Sequence, residues 1–274
     1  MTARTYNDSD ILAFYEEYKN TENWPLVKFA QKNNLKIYGL RNGFKRLDLK
    51  VFSQEITKRK YRINDNFFQD IDTEEKAYFL GFIFADGCNC KRRLEVSLAK
   101  QDIDILEKLS KTLLFGVNNI KEYKTKKEGC QDKIGLYIVS EKLTDDLKRW
   151  GCVPCKTFVL NFPKVPKHLI NHFVRGYFDG DGSLTFGERK KTKYCDVYFS
   201  IVSTYQMLTA IGSNINLLGV NWYINKRHKE RKNNNYTLRV HGKKQIRKVC
   251  DWLYSNATIF LNRKFEAYQR LVNL

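Results

Sequence analysis

Residues 79–87 read F-L-G-F-I-F-A-D-G, and residues 174–182 answer with V-R-G-Y-F-D-G-D-G. Each run is apolar and carries two small residues four apart, Gly81 and Ala85 in the first and Gly176 and Gly180 in the second. On a helix these fall on one face and let a second backbone approach closely. An acid follows each pair (Asp86, Asp181), and a glycine (Gly87, Gly182) stands where the helix is predicted to stop. A carboxylate in a last turn faces the negative end of the helix dipole, at a cost of about 0.3–1 kcal/mol. Two acids in matching frames imply that the charge is wanted there.

The order of elements after each acid is also repeated. After Asp86 come a basic turn (Lys91, Arg92, Arg93), a strand over 94–98, a helix over 102–114, strands near 120–125 and 134–139, and a helix over 141–150. After Asp181 the same order is predicted: strand 197–202, helix 204–218, strands 221–226 and 236–240, helix 244–254. From position 86 to position 181 is 95 residues, the length of one small α+β unit. The chain is therefore α+β, with two αβαββα-type units related by a pseudo-two-fold, over 73–165 and 166–274. Pairing the glycine-bearing helices would set Asp86 beside Asp181. Two close carboxylates repel unless a hard divalent cation sits between them. Paired metals of that kind stabilise both the attacking and the leaving oxygen of a phosphodiester.

The N-terminal segment differs. Residues 1–50 predict a small all-α domain: a helix capped from Asn7–Asp10 with Ile11, Leu12, Phe14 and Tyr15 inward, and a second over 21–34 anchored by Trp24, Val27, Phe29 and Ala30. After a turn at Asn33–Asn34 comes a basic helix bearing Arg41, Asn42, Lys45 and Arg46. This order is that of a helix-turn-helix DNA reader, the reading that the chain's net charge favours over a plain three-helix bundle with a charged face. Residues 51–72 read as a basic linker centred on Lys58, Arg59, Lys60, Tyr61 and Arg62.

Composition agrees with a polyanionic partner. The 274 residues hold 49 Lys and Arg against 30 Asp and Glu, a net charge of +19, which favours nucleic acid over an anionic membrane. No apolar run approaches the ~20 residues of a membrane span, and the N-terminus lacks a signal-peptide layout. An intracellular location is expected, in a host cytoplasm or nucleoid or in an organelle matrix. Seven cysteines in a chain of this size predict reduced thiols. Cys88, Cys90, Cys152 and Cys155 have spacings from which zinc ligands are drawn, but no second C-x-x-C or Cys/His knuckle completes a set.

Over about 73–274 the chain resembles the LAGLIDADG homing endonucleases in their single-chain, two-motif form. The second motif is close to the family pattern, and the first departs from it at Phe84, where an Asp is common. The resemblance implies saddle-shaped antiparallel sheets and an acidic metal ligand at the eighth motif position, here Asp86 and Asp181, with Ala85 and Gly180 beside them in the metal set. It also implies a basic residue late in each repeat, which nominates Lys156 and Lys264 as catalytic partners of the acids. Mg²⁺ is the implied cofactor, with Mn²⁺ or Ca²⁺ able to take the same place. The implied activity is staggered, site-specific cleavage of both strands of duplex DNA by a monomer, in the mobility of an intron, intein or free-standing element. Neither end shows the residues of an intein splicing block, so an intron-encoded or free-standing enzyme is expected.

Family sheets lie in the major groove. The resemblance makes Lys121, Tyr123 and Lys124 in the first unit and Asn225, Lys226, Arg227, His228 and Arg231 in the second the expected DNA contacts, joined by Lys91, Arg92 and Arg93, by Arg41, Asn42, Lys45 and Arg46 of the N-terminal domain, and by Lys58 and Arg59 of the linker. Two other functions share these features: an RNA maturase that binds intron RNA, and a DNA-binding regulator that no longer cuts.

Overall fold

The computed structural model describes residues 5–21, 24–52, 59–124, 132–188, 195–227, 230 and 233–274. It divides into two compact units, Met1–Arg62 and Ile63–Leu274.

Among the described residues the first unit is built on three helices: α1 (Asp8–Lys19), α2 (Leu26–Lys32) and α3 (Ile37–Arg46). Asn7 caps α1 by accepting from the Asp10 N–H at 2.7 Å, and the Asp10 carboxylate accepts from the Asn7 N–H in return. Such a reciprocal cap satisfies two donors that the first turn would leave open. Ile11, Tyr18, Leu26, Phe29, Leu40 and Phe44 form the core. Two expected anchors stand elsewhere. Leu12 and Val27 are exposed, because Tyr18 and Leu26 take inward positions on the same helices. Trp24 is half-buried and packs against this core as expected, with the ammonium groups of Lys28 and Lys32 4.3 and 4.5 Å from its ring centre. Chain beyond position 50 still belongs to this unit, since Phe52 packs on the core and donates its N–H to Tyr18 Oη at 3.0 Å.

The second unit begins earlier than polarity suggests. Residues 63–72, read as the end of a linker, bury Phe67, Phe68 and Ile71, and the Trp150 indole donates to the Phe68 carbonyl at 2.8 Å. Apolar anchors spaced among Asp, Asn and Gln hid this segment from a compositional reading.

Each repeat then runs helix, two strands, helix, two strands, helix. In the first these are α4 (Glu74–Asp86), β1 (Gly87–Cys90), β2 (Arg93–Ala99), α5 (Ile103–Leu113), β3 (Ile120–Tyr123), β4 (Lys133–Val139) and α6 (Glu141–Arg149). In the second they are α7 (Ile170–Asp181), β5 (Gly182–Glu188), β6 (Cys195–Ser203), α8 (Tyr205–Asn216), β7 (Trp222–Lys226), β8 (Tyr236–Val240) and α9 (Lys243–Tyr254). A closing helix, α10 (Asn262–Val272), has no counterpart in the first repeat among the described residues. Both sheets are four-stranded and antiparallel, in the orders β1-β2-β4-β3 and β5-β6-β8-β7. The expected repeat unit therefore lacked one strand, the one directly after each acid.

That strand explains the glycine after the acid. Gly87 (φ −79°, ψ 148°) and Gly182 (φ −93°, ψ 165°) are extended, so neither closes its helix in a left-handed cap. The constraint is space. A Cβ on Gly87 would lie 2.7 Å from the Ile83 carbonyl oxygen, and one on Gly182 would lie 2.4 Å from that of Phe178. Only glycine lets the chain pass from helix to strand at the acid itself.

α4 and α7 cross at the small residues. A Cβ on Gly81 would lie 2.0 Å from the Phe173 carbonyl oxygen, and one on Gly176 would lie 1.9 Å from that of Tyr78. Tyr78 and Phe173 occupy the same position in their repeats, so the contact is the same seen from either side.

Candidate active site and nucleic-acid face

The crossed helices end together. Gly180 stands against Ala85 and Asp86, where an added Cβ would meet Ala85 Cβ at 2.4 Å and Asp86 Oδ2 at 2.9 Å. Burial and then the neighbouring charge of Asp181 push the Asp86 carboxyl up to about 6, against the opposing pull of Lys156. Burial also raises Asp181, against Lys156 and a hydrogen bond from Tyr177. Two carboxylates held together at this cost form a site suited to a cation. Its donors are hard oxygens, and the missing Cβ of Gly180 leaves room at the Asp86 oxygen. Asp86 and Asp181 would hold a divalent cation there. Among the described residues no three His, Cys, Asp or Glu side chains gather as a metal cluster. The cysteine pairs are no exception: burial pushes the Cys152 thiol up to about 12, while Cys88, Cys90 and Cys155 are exposed.

Both nominated lysines reach this site, by different routes. Lys156 follows Cys155, which is left-handed (φ 55°), and lies in a single 3-10 turn over Lys156–Phe158. Its ammonium donates to the Ala85 carbonyl at 2.8 Å. Lys264 projects from the first turn of α10, donates to the Gly182 carbonyl, and lies 4.7 Å from the Phe178 ring centre. Burial lowers its pKa to about 8. Each lysine thus grips the main chain beside an acid, and each is buried.

The sixth motif position is where the repeats part. Asp179 is buried and accepts from Tyr78 Oη at 2.6 Å, from Tyr254 Oη and from the Leu261 N–H at 2.8 Å. Burial still holds its carboxyl above the usual range. At the matching place Phe84 meets Phe173 edge-on, with ring centres 5.4 Å apart. The two equivalent contacts between the repeats thus differ: Tyr78 with Asp179 is an acid–tyrosine pair, and Phe173 with Phe84 is an aromatic pair.

Sequence reasoning missed Arg175, a fully buried guanidinium. It donates to Glu74 Oε1 at 2.6 Å and to the carbonyls of Ile259 (3.0 Å) and Leu253 (2.9 Å), and it contacts His172 Nδ1 at 2.9 Å. An arginine inside an apolar helix motif was the available signal, since such a group is buried only when paired.

Strand register sorts the expected contact residues. On the first sheet Lys121 and Tyr123 pair with Gly135 and Lys133, and share the open face with Arg93, Glu95 and Tyr137. Lys124 is exposed just beyond β3, and Lys91 and Arg92 form the β1–β2 turn. Arg93 pairs with Glu95 at 3.1 Å, which offsets part of its charge. On the second sheet Asn225 shares the open face with Tyr223, Thr237 and Arg239, and Arg227 is exposed beyond β7. Lys226 instead pairs with Tyr236 on the side where Leu238 and Val240 are buried, because neighbours on a strand point opposite ways. Arg41, Asn42, Lys45 and Arg46 belong to α3 and are all exposed, and Arg46 bonds Asp8 at 2.9 Å. Arg59 is half-buried in the first unit. Lys58, His228 and Arg231 lie outside the described residues.

Two crossed helices, each ending on an acid and feeding a four-stranded sheet, make this a two-repeat protein with one composite carboxylate site. Residues 169–252 match the family model of a LAGLIDADG-like domain. The fold superposes on the LAGLIDADG homing endonuclease I-GzeII, solved in complex with its DNA target, with a TM-score of 0.52 at 11% identity over 72% of this chain and 88% of that one. The chain carries a LAGLIDADG-like domain and has the two-repeat fold of the LAGLIDADG homing endonucleases. Among curated proteins it is 24% identical over 211 residues to a probable translation initiation factor IF-2 of Methanocaldococcus jannaschii, covering 70% of this chain and 16% of that protein. It is 30% identical over 170 residues to a DNA polymerase of Acanthamoeba polyphaga mimivirus, covering 56% of this chain and 9% of that protein. The chain spans less than a fifth of either relative. No helix among the described residues is long and apolar enough to cross a membrane.

Proposed function

We propose that this protein is a divalent-metal-dependent endonuclease that cuts both strands of a long DNA site as a monomer. The observation that carries this reading is the meeting of Asp86 and Asp181 at the ends of the crossed helices, with a buried lysine gripping the chain beside each. A divalent cation, Mg²⁺ in the first place, would supply charge to stabilise the attacking and leaving oxygens of the phosphodiester.

The chain's own residues set the geometry. Asp86 and Asp181 hold the cation site at the seam between the repeats. Lys156 and Lys264 fix the main chain on either side and bring positive charge near the oxygens on which charge develops. Lys121 and Tyr123 on one open sheet face and Asn225 on the other, with Lys91, Arg92, Arg93, Lys124 and Arg227 at the margins, contact the duplex. The net charge of +19 supplies the sequence-independent part of binding. The basic residues of α3 add contacts from the N-terminal unit and lengthen the site.

The test is cleavage of a random duplex library with Mg²⁺, and then of the recovered site by Asp86→Asn and Asp181→Asn. Loss of cutting by at least about a hundredfold, with binding kept within a fewfold, is expected. Binding without cleavage by the unaltered chain would sink the nuclease reading, and undiminished double-strand cleavage by the double variant would remove the acids from it.

A further inference from the structure

The two lysines are nominal equivalents, yet they are held by unlike devices. Six consecutive residues ahead of Lys264 are each gripped by a charged side chain. Glu74 accepts from the Thr258 N–H at 2.8 Å, and Arg175 donates to the Ile259 carbonyl at 3.0 Å. Lys108 donates to the Phe260 carbonyl at 3.2 Å, and Asp179 accepts from the Leu261 N–H at 2.8 Å. Asp104 accepts from the Asn262 N–H at 3.1 Å, and Asp102 takes the Arg263 guanidinium on both oxygens at 2.6 and 2.9 Å. Four of these six grips, from Glu74, Asp102, Asp104 and Lys108, come from the first repeat.

Nothing similar holds Lys156 among the described contacts. Its segment is fixed by neutral bonds, from Asn89 Nδ2 to the Cys152 carbonyl at 2.8 Å and from Asn234 Nδ2 to the Phe158 carbonyl at 3.1 Å. A carboxylate that accepts a main-chain N–H makes a stronger bond than a neutral amide does. It also orders α10 at its N-terminal turn, where a negative charge is favoured.

We infer that Asp104 and Asp102, on the first repeat, are positioning residues for Lys264 of the second, so that one strand's cleavage depends on a charged cradle and the other's does not. The inference rests on the nuclease reading and adds to it a built-in inequivalence of the two cuts. Asp104 is the cleaner probe, because the Asp102–Arg263 pair also acts by charge on Asp86.

The experiment uses the full chain and a duplex labelled separately on each strand. Lys264→Ala and Lys156→Ala first define which strand leans on which lysine. Asp104→Ala is expected to slow the strand that Lys264→Ala slows by about tenfold or more, leaving the other within about twofold. Exchanging the paired charges in the double variant Asp102→Arg with Arg263→Asp should restore a substantial part of the rate lost in Asp102→Ala. Equal slowing of both strands, or slowing of the Lys156-dependent strand, overturns the inference. Amide hydrogen exchange gives a reading that needs no cleavage. Protection at residues 261–264 should fall in Asp104→Ala while that at 156–159 is unchanged, and unchanged protection at 261–264 overturns the inference even if no substrate is cut. Absence of all nicking by the unaltered chain, with the exchange difference present, refutes the nuclease and leaves the positioning in place.

Discussion

Replacing Gly176 by alanine adds one methyl group to α7 and tests how the two repeats are joined. That carbon would sit 1.9 Å from the Tyr78 carbonyl oxygen and 2.9 Å from the Phe82 nitrogen, both main-chain atoms of α4. Ordinary contact begins near 3.4 Å, so the shortfall at the oxygen is 3.4 − 1.9 = 1.5 Å. No side chain can rotate to relieve it. The helices must move apart, and the aromatic packing beside the crossing, including Phe84 on Phe173, moves with them. Overpacking of this kind costs about 1–3 kcal/mol and more where backbone meets backbone. Alanine returns about 1 kcal/mol through its helix propensity. A net loss of about 2 kcal/mol is expected, a fall in Tm of roughly 4–8 °C for a unit of this size. Urea denaturation monitored by circular dichroism measures it, and Gly81→Ala should match it, since its Cβ meets the Phe173 oxygen at 2.0 Å. If either variant is as stable as the parent, the helices are not in backbone contact and the crossing is wrong.

Two further outcomes concern the site. A carboxyl raised to about 6 in the folded protein binds its proton more tightly there than in the unfolded chain, so Asp86 loses the fold stability as pH climbs from about 4 to about 6. In a metal chelator, Asp86→Asn should therefore melt at a higher temperature than the parent above pH 6 and at the same temperature near pH 4; thermal melts at the two pH values check this. At the sixth motif position, Phe84→Asp sets a carboxyl against Phe173 without a donor and should cost about 3 kcal/mol. Adding Phe173→Tyr copies the Tyr78–Asp179 pair, and a coupling energy of about 1 kcal/mol or more in a urea double-mutant cycle is expected; additive losses would deny the equivalence of the two positions.

The repeat and its acids were legible because they are written locally. Small residues four apart, an acid and a glycine need no partner to be noticed, and strands such as 94–98 and 236–240 alternate cleanly enough to be read. The strand after each acid was not legible. Gly87-Cys88-Asn89-Cys90 has little β propensity and too short a span to show a period, and it is a strand because β2 offers it a free edge. The face of Lys226 was lost for a related reason, since a basic dipeptide gives no register of its own. The cradle around 258–263 lies beyond any local reading. Its carboxylates come from positions as far apart as 74 and 179 in a chain with 30 acids, and only folding decides which of them meets which main-chain group.

The mismatch at the sixth motif position governs which partners a half of this molecule can accept. Were two second repeats to associate with each other, Asp179 of each would face Phe173 in place of Tyr78 and lie buried with one donor fewer. Were two first repeats to associate, the hydroxyl of Tyr78 would face Phe84 and lack its acceptor. Either self-association leaves polar atoms stranded on both sides, whereas the mixed pairing satisfies them all. The duplicated halves have thus become obligate complements, unable to revert to a symmetric homodimer.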